Sequence, residues 1–319
     1  MRLTVSLVDH NGLAKPIRFM CFFVSFTSLS FFIVASAKAE ERTDKIDPIT
    51  KKNDERSIEV SSYTPKIQIL SKDWGNGHPD DIKKVLESTA SVLFRYGVQV
   101  PNPSILVGQS ANGPIVLHQR GDKGEYLINL NTKDRYWCQY AFQFSHELGH
   151  ILCGFKKGDS SNMWFEESLC EVASLFSLLQ LQLLWREKPP YPNWISYAPE
   201  FKKYVEQRIS QNQKFEIKDL SIWFANNELY LRKNPTDRKK NLAVACKLLP
   251  LLEEQPENWS ACAYLNKQKS NEFKTFPQYL DDWRNACKYE AQIKFVENIS
   301  SKFGILLPLN ATKSNDRSF

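Results

Sequence analysis

The pattern of hydrophobic and polar positions predicts a small α+β unit in the first half of the chain. Alternation over Lys66–Leu70 predicts a short strand, and Ser104–Val107 predicts a second one. Between them, Pro79–Tyr96 has the spacing of an amphipathic helix with acidic residues in its first turn. Pro114–His118 and Tyr126–Asn131 flank a polar turn and predict a β-hairpin.

Two strongly apolar segments follow. Tyr136–Phe155 is apolar on nearly every side, which predicts a buried helix that ends near Gly154. A second apolar helix is predicted from Trp164 to about Trp185, and the pattern from 199 to 308 is mainly helical. The predicted fold class is therefore α+β, with a small N-terminal mixed sheet and helix followed by a mainly α-helical C-terminal subdomain.

The first 39 residues have the features of a signal peptide. Basic residues precede an apolar run at 19–37, and Ala35, Ala37 and Ala39 fit an A-x-A cleavage site. Export to the periplasm or secretion is therefore expected, with no stable membrane span left after cleavage. The alternative is a membrane anchor formed by an uncleaved leader.

Composition divides the remaining chain. Residues 40–60 are charged and poor in aromatic residues, which predicts a flexible linker. An α+β subdomain at 61–155 and a helical subdomain at 156–310 follow, and the polar residues 311–319 are expected to be a disordered tail. The formal net charge of +6 is mild and evenly spread, so nucleic acid is not an expected partner.

Cysteine content agrees with export. Seven cysteines are encoded, and one of them lies in the predicted leader. The remaining six form an even set, which favours disulfides in an exported protein, although they can equally be small buried apolar residues. The better disulfide candidates are Cys246, Cys262 and Cys287.

The segment His146-Glu147-Leu148-Gly149-His150 has the H-E-x-x-H pattern. Residues at i and i+4 share one face of a helix, so His146 and His150 can bind a single Zn²⁺ ion. Glu147 is offset by one position and can reach a water molecule beside the metal as a general base. The pattern therefore predicts one zinc ion and a hydrolytic reaction.

A third protein ligand is required, and the sequence narrows the choice. No histidine follows His150, and the extended metzincin pattern is absent because Cys153 and Lys156 stand where it needs glycine and histidine. The second apolar helix carries three acids, which need partners if they are buried. Glu167 is the predicted third ligand.

The other two acids on that helix receive different predictions. Glu171 shares a face with Glu167 and is predicted to accept a hydrogen bond from one zinc histidine, which would fix the tautomer of that ring. Glu166 is turned roughly 100° away from Glu167, so it is predicted to be solvated or paired with a lysine.

His146–His150 followed by Trp164-Phe165-Glu166-Glu167-Ser168-Leu169-Cys170-Glu171 resembles the gluzincin group of zinc peptidases, which includes thermolysin-like enzymes and many aminopeptidases. The resemblance implies a zincin active-site helix against the N-terminal sheet. It also implies His146, His150 and Glu167 as metal ligands, Glu147 as base and Glu171 as outer carboxylate. The strands before the helix resemble the edge strand along which the group lays an extended substrate.

The chain departs from the gluzincin pattern in three respects. The spacing from His150 to Glu167 is short, no G-x-M-E-N aminopeptidase motif occurs upstream, and no downstream histidine is present to polarise the substrate carbonyl. A tyrosine can take that last role, and Tyr197, Tyr230 and Tyr264 are the candidates.

The expected function is an exported zinc metallopeptidase that hydrolyses peptide or protein substrates. A first alternative is a catalytically inactive zincin-fold protein that is exported and only binds a partner. A second alternative is a structural pair of helices in which the H-E-x-x-H pattern occurs by chance.

Overall fold

The computed structural model describes residues 65–70, 73–96 and 104–308. This part of the chain is α+β and 60% helical. The four strands are β1 Lys66–Ile69, β2 Ser104–Gln109, β3 Ile115–Arg120 and β4 Tyr126–Leu130. The described helices are α1 Pro79–Phe94, α2 Trp137–Leu152, α3 Met163–Glu187, α4 Ala198–Gln211, α5 Leu220–Lys233, α6 Arg238–Glu254, α7 Trp259–Cys262, α8 Phe276–Ala286 and α9 Glu290–Lys302.

The strands form one mixed sheet in the order β1-β2-β4-β3. β1 and β4 pair with β2 in parallel, and β3 pairs with β4 in the antiparallel direction with an irregularity between Leu117 and Arg120. The predicted strands, the intervening helix and the hairpin are all confirmed. Because β3 lies at the edge of the sheet, its outer backbone groups face away from β4.

The amphipathic helix α1 begins where the sequence predicted. Pro79 occupies its first turn, where a missing N–H costs nothing, and the His78 side chain accepts a hydrogen bond from the Asp80 N–H. The apolar face of α1 packs against β1 and against α2 and α3. Helix α1 therefore shares the core with β1 and the two apolar helices, and α2 itself also contacts β3 and β4.

Helix α3 is the centre of the helical region. It packs against α2, α4 and α6 along its length. At its start, α3 contributes two rings to an aromatic cluster that also contains rings from α5, α8 and the end of α9. The cluster consists of Trp164, Phe165, Phe224, Phe276 and Phe303. Burial on all sides explains why α3 lacks a polar face.

Among the described residues, α3 is long and apolar enough to cross a membrane by length and composition alone. The expectation that no stable span remains after leader cleavage stays a prediction. Within the fold, 72% of its most apolar window is buried. Its apolar character is accounted for by its place at the centre of the core.

The two predicted subdomains contribute to one continuous hydrophobic core, which runs from Ile67 in the sheet to Phe303 after α9. The described residues belong to one compact unit. The predicted signal peptide, the linker and the tail at 311–319 lie outside the described residues, so they remain predictions.

The expected disulfides are not present among the described cysteines. Cys138, Cys153, Cys170, Cys246, Cys262 and Cys287 are all free thiols. Cys138, Cys153, Cys170 and Cys262 are buried, as the alternative of small apolar core residues anticipated. The core is therefore held by packing without covalent links between these residues.

Helices α2 and α3 lie in tight contact at Gly149, and this contact generates a stability prediction. A Cβ at this position would lie 2.9 Å from the Cys170 Cα and 3.0 Å from its Sγ. In an open helix, Gly→Ala stabilises by roughly 1 kcal/mol. Here Gly149→Ala is expected to lower the free energy of unfolding by about 1–3 kcal/mol, because the helices must move apart.

Urea unfolding followed by circular dichroism measures this change. Gln207→Ala, at an exposed position of α4, is the control and should have almost no effect. Equal or greater stability of Gly149→Ala would contradict the close contact.

Candidate metal centre

The side chains predicted to bind metal converge between α2 and α3. The Glu167 Oε2 atom lies 3.2 Å from the His146 Nε2 atom, and its Oε1 atom lies 3.7 Å from the His150 Nε2 atom. Bonds of about 2.0–2.1 Å in a tetrahedral zinc site place neighbouring donor atoms about 3.3 Å apart. The observed separations therefore suit one ion held by all three side chains.

The three side chains are largely withdrawn from solvent but remain open on one side. Their exposed fractions are 16% for His146, 9% for His150 and 13% for Glu167. Burial would raise the pKa of the Glu167 carboxyl, but the hydrogen bond with His146 and the charges of both histidines bring it below its usual value. An ionised carboxylate is the form that binds a metal.

Glu166 has a role that sequence analysis missed. Its Oε1 atom lies 2.8 Å from the His150 Nδ1 atom, and its Oε2 atom accepts hydrogen bonds from the Asn266 Nδ2 atom at 2.9 Å and the Lys269 Nζ atom at 3.4 Å. The prediction that Glu166 is solvated is wrong, since it is 4% exposed. The predicted lysine pairing is present, but its partner comes from a distant loop.

The contact with Glu166 determines how His150 presents its ring. When Nδ1–H donates to the carboxylate, the lone pair of Nε2 is left to face Glu167 and the metal position. Burial would raise the pKa of Glu166, but the hydrogen bond and charge of His150, with Lys269, lower it to about 2. Glu166 is therefore ionised, and when a metal replaces the Nε2 proton of His150 it can hold the tautomer that metal binding requires.

Glu171 is placed differently from Glu166. It is 3% exposed, and its Oε2 atom has no hydrogen-bond partner among the described residues. Burial raises its pKa, and the charges that oppose this rise come from His146, Arg208 and Arg238. In this structure Glu166, rather than Glu171, accepts the hydrogen bond from a predicted metal-binding histidine.

Glu147 lies between α2 and the edge of the sheet. Its Oε2 atom accepts a 2.7 Å hydrogen bond from the Val116 N–H of β3. Burial raises the pKa of Glu147, while the charges of His146 and His150 and the Val116 hydrogen bond oppose the rise. A carboxylate with a raised pKa, held beside the metal position, is suited to accept and return a proton.

Cys170 is a second possible metal donor on α3. Ligand atoms of His146, His150 and Cys170 all lie within 4.8 Å of one another. The Cys170 side chain is fully buried, and burial raises the pKa of its thiol to about 12. Glu167 is the better third ligand because it is ionised and lines the adjacent cavity, where a substrate can approach.

A cavity of about 1190 Å³ opens in front of this centre. One wall is the turn and edge strand from Asn112 to Val116, and the floor is formed by the histidines and glutamates of α2 and α3. The lining also includes Tyr204 and Arg208 of α4 together with Arg238 at the start of α6. The cavity has the size and concave form of a binding site.

The tyrosine that reaches this cavity differs from the three predicted candidates. The Tyr197 hydroxyl contacts Cys138, donating to its Sγ at 3.4 Å, and the Tyr230 hydroxyl donates to Asp237 at 2.9 Å. Neither these residues nor Tyr264 belongs to the described cavity lining, whereas Tyr204 does. The spacing of Tyr204 and Arg208 on one face of α4 was the available sequence signal.

The Glu166 contact predicts a change in metal affinity. Glu166→Gln is expected to weaken zinc binding about 10- to 100-fold, because a neutral amide orients the His150 ring less firmly. Competition with a chromogenic chelator measures the dissociation constant. Glu187→Gln, at the exposed end of α3, is the matched control. An unchanged dissociation constant for zinc in Glu166→Gln would show that Glu166 does not support metal binding.

No protein-family model, curated protein or solved structure matches this chain. The likeness to gluzincins therefore rests on the two short segments around His146–His150 and Glu167. Function has to be inferred from the chemistry of the site itself.

Proposed function

We propose that this protein is an exported zinc metallopeptidase whose single Zn²⁺ ion is held by His146, His150 and Glu167. The observation that carries the proposal is the convergence of the Glu167 carboxylate on the Nε2 atoms of both histidines, at 3.2 and 3.7 Å. Two neutral nitrogens and one carboxylate form a donor set found in hydrolytic zinc sites, with the fourth position left for water or substrate.

The residues fit zinc in a further respect. The Glu166 contact at His150 Nδ1 is the carboxylate–histidine arrangement that supports a metal-binding ring. When bound, zinc supplies a Lewis acid that lowers the pKa of a water molecule to about 7 and polarises a carbonyl group.

Glu147 performs the proton transfers in the proposed reaction. It takes one proton from the attacking water as the water oxygen bonds to the peptide carbonyl carbon. It then delivers that proton to the leaving nitrogen as the C–N bond breaks, so one carboxylate and one amine are formed. The Val116 N–H holds the Glu147 side chain in place for both steps.

A peptide is the substrate class that the cavity wall favours. β3 is the edge strand of the sheet, and Ile115 and Val116 line the cavity. An extended peptide can add to such an edge through main-chain hydrogen bonds. This arrangement supports the zincin packing of a substrate strand, active-site helix and glutamate-bearing helix implied by the resemblance.

The base assignment predicts a loss of turnover without a loss of metal. Glu147→Gln is expected to reduce kcat about 10²- to 10⁴-fold while retaining one equivalent of zinc, because the amide cannot accept the proton. The measurements are cleavage of a broad peptide library and metal analysis of the same sample, with Glu187→Gln as control. Near-normal turnover in Glu147→Gln would refute this role.

The result for the wild-type protein distinguishes the peptidase from the main alternative, an inactive binding protein. If the wild-type protein binds zinc but cleaves no peptide in the library, the exported binding protein replaces the peptidase as the better description.

The choice between Glu167 and Cys170 gives a further prediction. Glu167→Ala is expected to lose the metal, and Cys170→Ala is expected to keep it, because only the former removes an ionised donor. Metal analysis after dialysis distinguishes them. The Co²⁺-substituted wild-type protein should also lack a thiolate-to-cobalt charge-transfer absorption; its presence would make Cys170 the ligand.

A further inference from the structure

The charges that line the cavity are segregated. Among the described lining residues, all four acids belong to the metal centre: Glu147, Glu166, Glu167 and Glu171. The rest of the charged lining consists of cations, which are Lys156, Lys157, Arg208, Arg238 and Lys269. Lys269 pairs with Glu166. The other four cations leave the cavity rim with excess positive charge.

Arg208 is held in position but lacks an anionic partner. Its guanidinium lies over the Phe142 ring, with 4.1 Å between the central carbon and the ring centroid. Its Nε atom is buried and has no hydrogen-bond acceptor among the described residues. It also lies close enough to Tyr204 to oppose the rise in the pKa of that hydroxyl caused by burial. A guanidinium that is stacked on a ring, and that has no carboxylate within ion-pair distance among the described residues, is preorganised to meet an anion through its terminal N–H groups.

Arg238 lies in the same part of the cavity. It is the first residue of α6 and is exposed. Within the described residues, neither Arg238 nor Arg208 has a carboxylate oxygen within the 4 Å of an ion pair. Arg208, Arg238 and Glu171 all line the same cavity. The charges of both arginines oppose the rise in the pKa of Glu171 that burial causes.

Glu171 does not satisfy the two arginines. No ion pair joins its carboxylate to either arginine, and its Oε2 atom has no hydrogen-bond partner in the described part of the chain. A guanidinium presents parallel N–H groups that match the two oxygens of a carboxylate. The donor chemistry of Arg208 and Arg238 therefore fits a substrate carboxylate that enters from the cavity.

We propose that Arg208 and Arg238 form a carboxylate subsite that makes the cleft selective for acidic peptides. This inference rests on the proposed peptidase function and names its substrate class. The carboxylate can be the C-terminus of the peptide or the side chain of aspartate or glutamate.

The test compares two pairs of quenched fluorogenic peptides with the zinc-loaded enzyme. The first pair differs only in a free C-terminal carboxylate or a C-terminal amide, and the second differs only in an internal glutamate or glutamine. The wild-type enzyme is expected to favour the acidic member of at least one pair about 10- to 100-fold in kcat/KM. The pair that shows the preference identifies the source of the carboxylate.

The ratio of kcat/KM for the acidic peptide to kcat/KM for the neutral peptide should fall toward one in Arg208→Gln, in Arg238→Gln and in the double variant. Arg186→Gln, at an exposed position near the end of α3, is the matched control and should keep the wild-type ratio. Arg238 is exposed, so its variant is expected to fold even if Arg208→Gln does not; zinc content and near-UV circular dichroism check this point. An absent wild-type preference, or an unchanged ratio in Arg238→Gln and the folded double variant, would overturn the subsite.

Binding measurements separate this proposal from the peptidase proposal. The dissociation constants of the same peptides for zinc-loaded Glu147→Gln are measured by calorimetry. If acidic peptides bind more tightly and this difference depends on the arginines, the carboxylate subsite stands even when the wild-type protein cleaves nothing. Equal affinities for acidic and neutral peptides would overturn the subsite whatever the turnover.

Discussion

The contact of Gly149 with Cys170 sets the distance between α2 and α3, and the candidate centre depends on that distance. A Cβ on Gly149 would lie only 2.9 Å from the Cys170 Cα, so a glycine is needed for the two backbones to come this close. Within one turn of this contact on each helix, the rings of His146 and His150 meet the Glu167 carboxylate. A larger separation would leave these side chains in two unconnected groups.

The same closeness places several charges in a largely apolar interior, where each needs compensation. The Glu166 carboxylate obtains it from His150, Asn266 and Lys269. The loop after α7 that supplies the last two residues therefore helps to determine the tautomer of a ring on α2. A buried carboxylate becomes in this way a positioning group for metal binding.

Charge compensation also explains why the acidic and the cationic residues of the cavity lining occupy different places. The acids are concentrated at the junction of α2 and α3, where histidines and a metal ion can offset them. Arg208 and Arg238 lie on separate helices and both line the cavity. This separation of acids and cations is the basis of the proposed preference for substrates that carry a carboxylate.

Local sequence determined the elements and the chemistry that each can carry. Hydrophobic periodicity predicted the strands, α1 and the two buried helices. The spacing of apolar residues shows whether one face of an element or its whole surface is buried. The H-E-x-x-H spacing likewise placed His146 and His150 on one helical face, and the acids of α3 marked that helix as the source of a third ligand.

Tertiary structure alone decided which of these residues have partners. The environment of Glu166 depends on Asn266 and Lys269, which are about 100 residues away in the chain. Tyr204 and Arg208 face the cavity because α4 folds back along α3, a contact that no spacing rule encodes. Cysteine number suggested disulfides, whereas pairing requires a distance that only the packed helices determine.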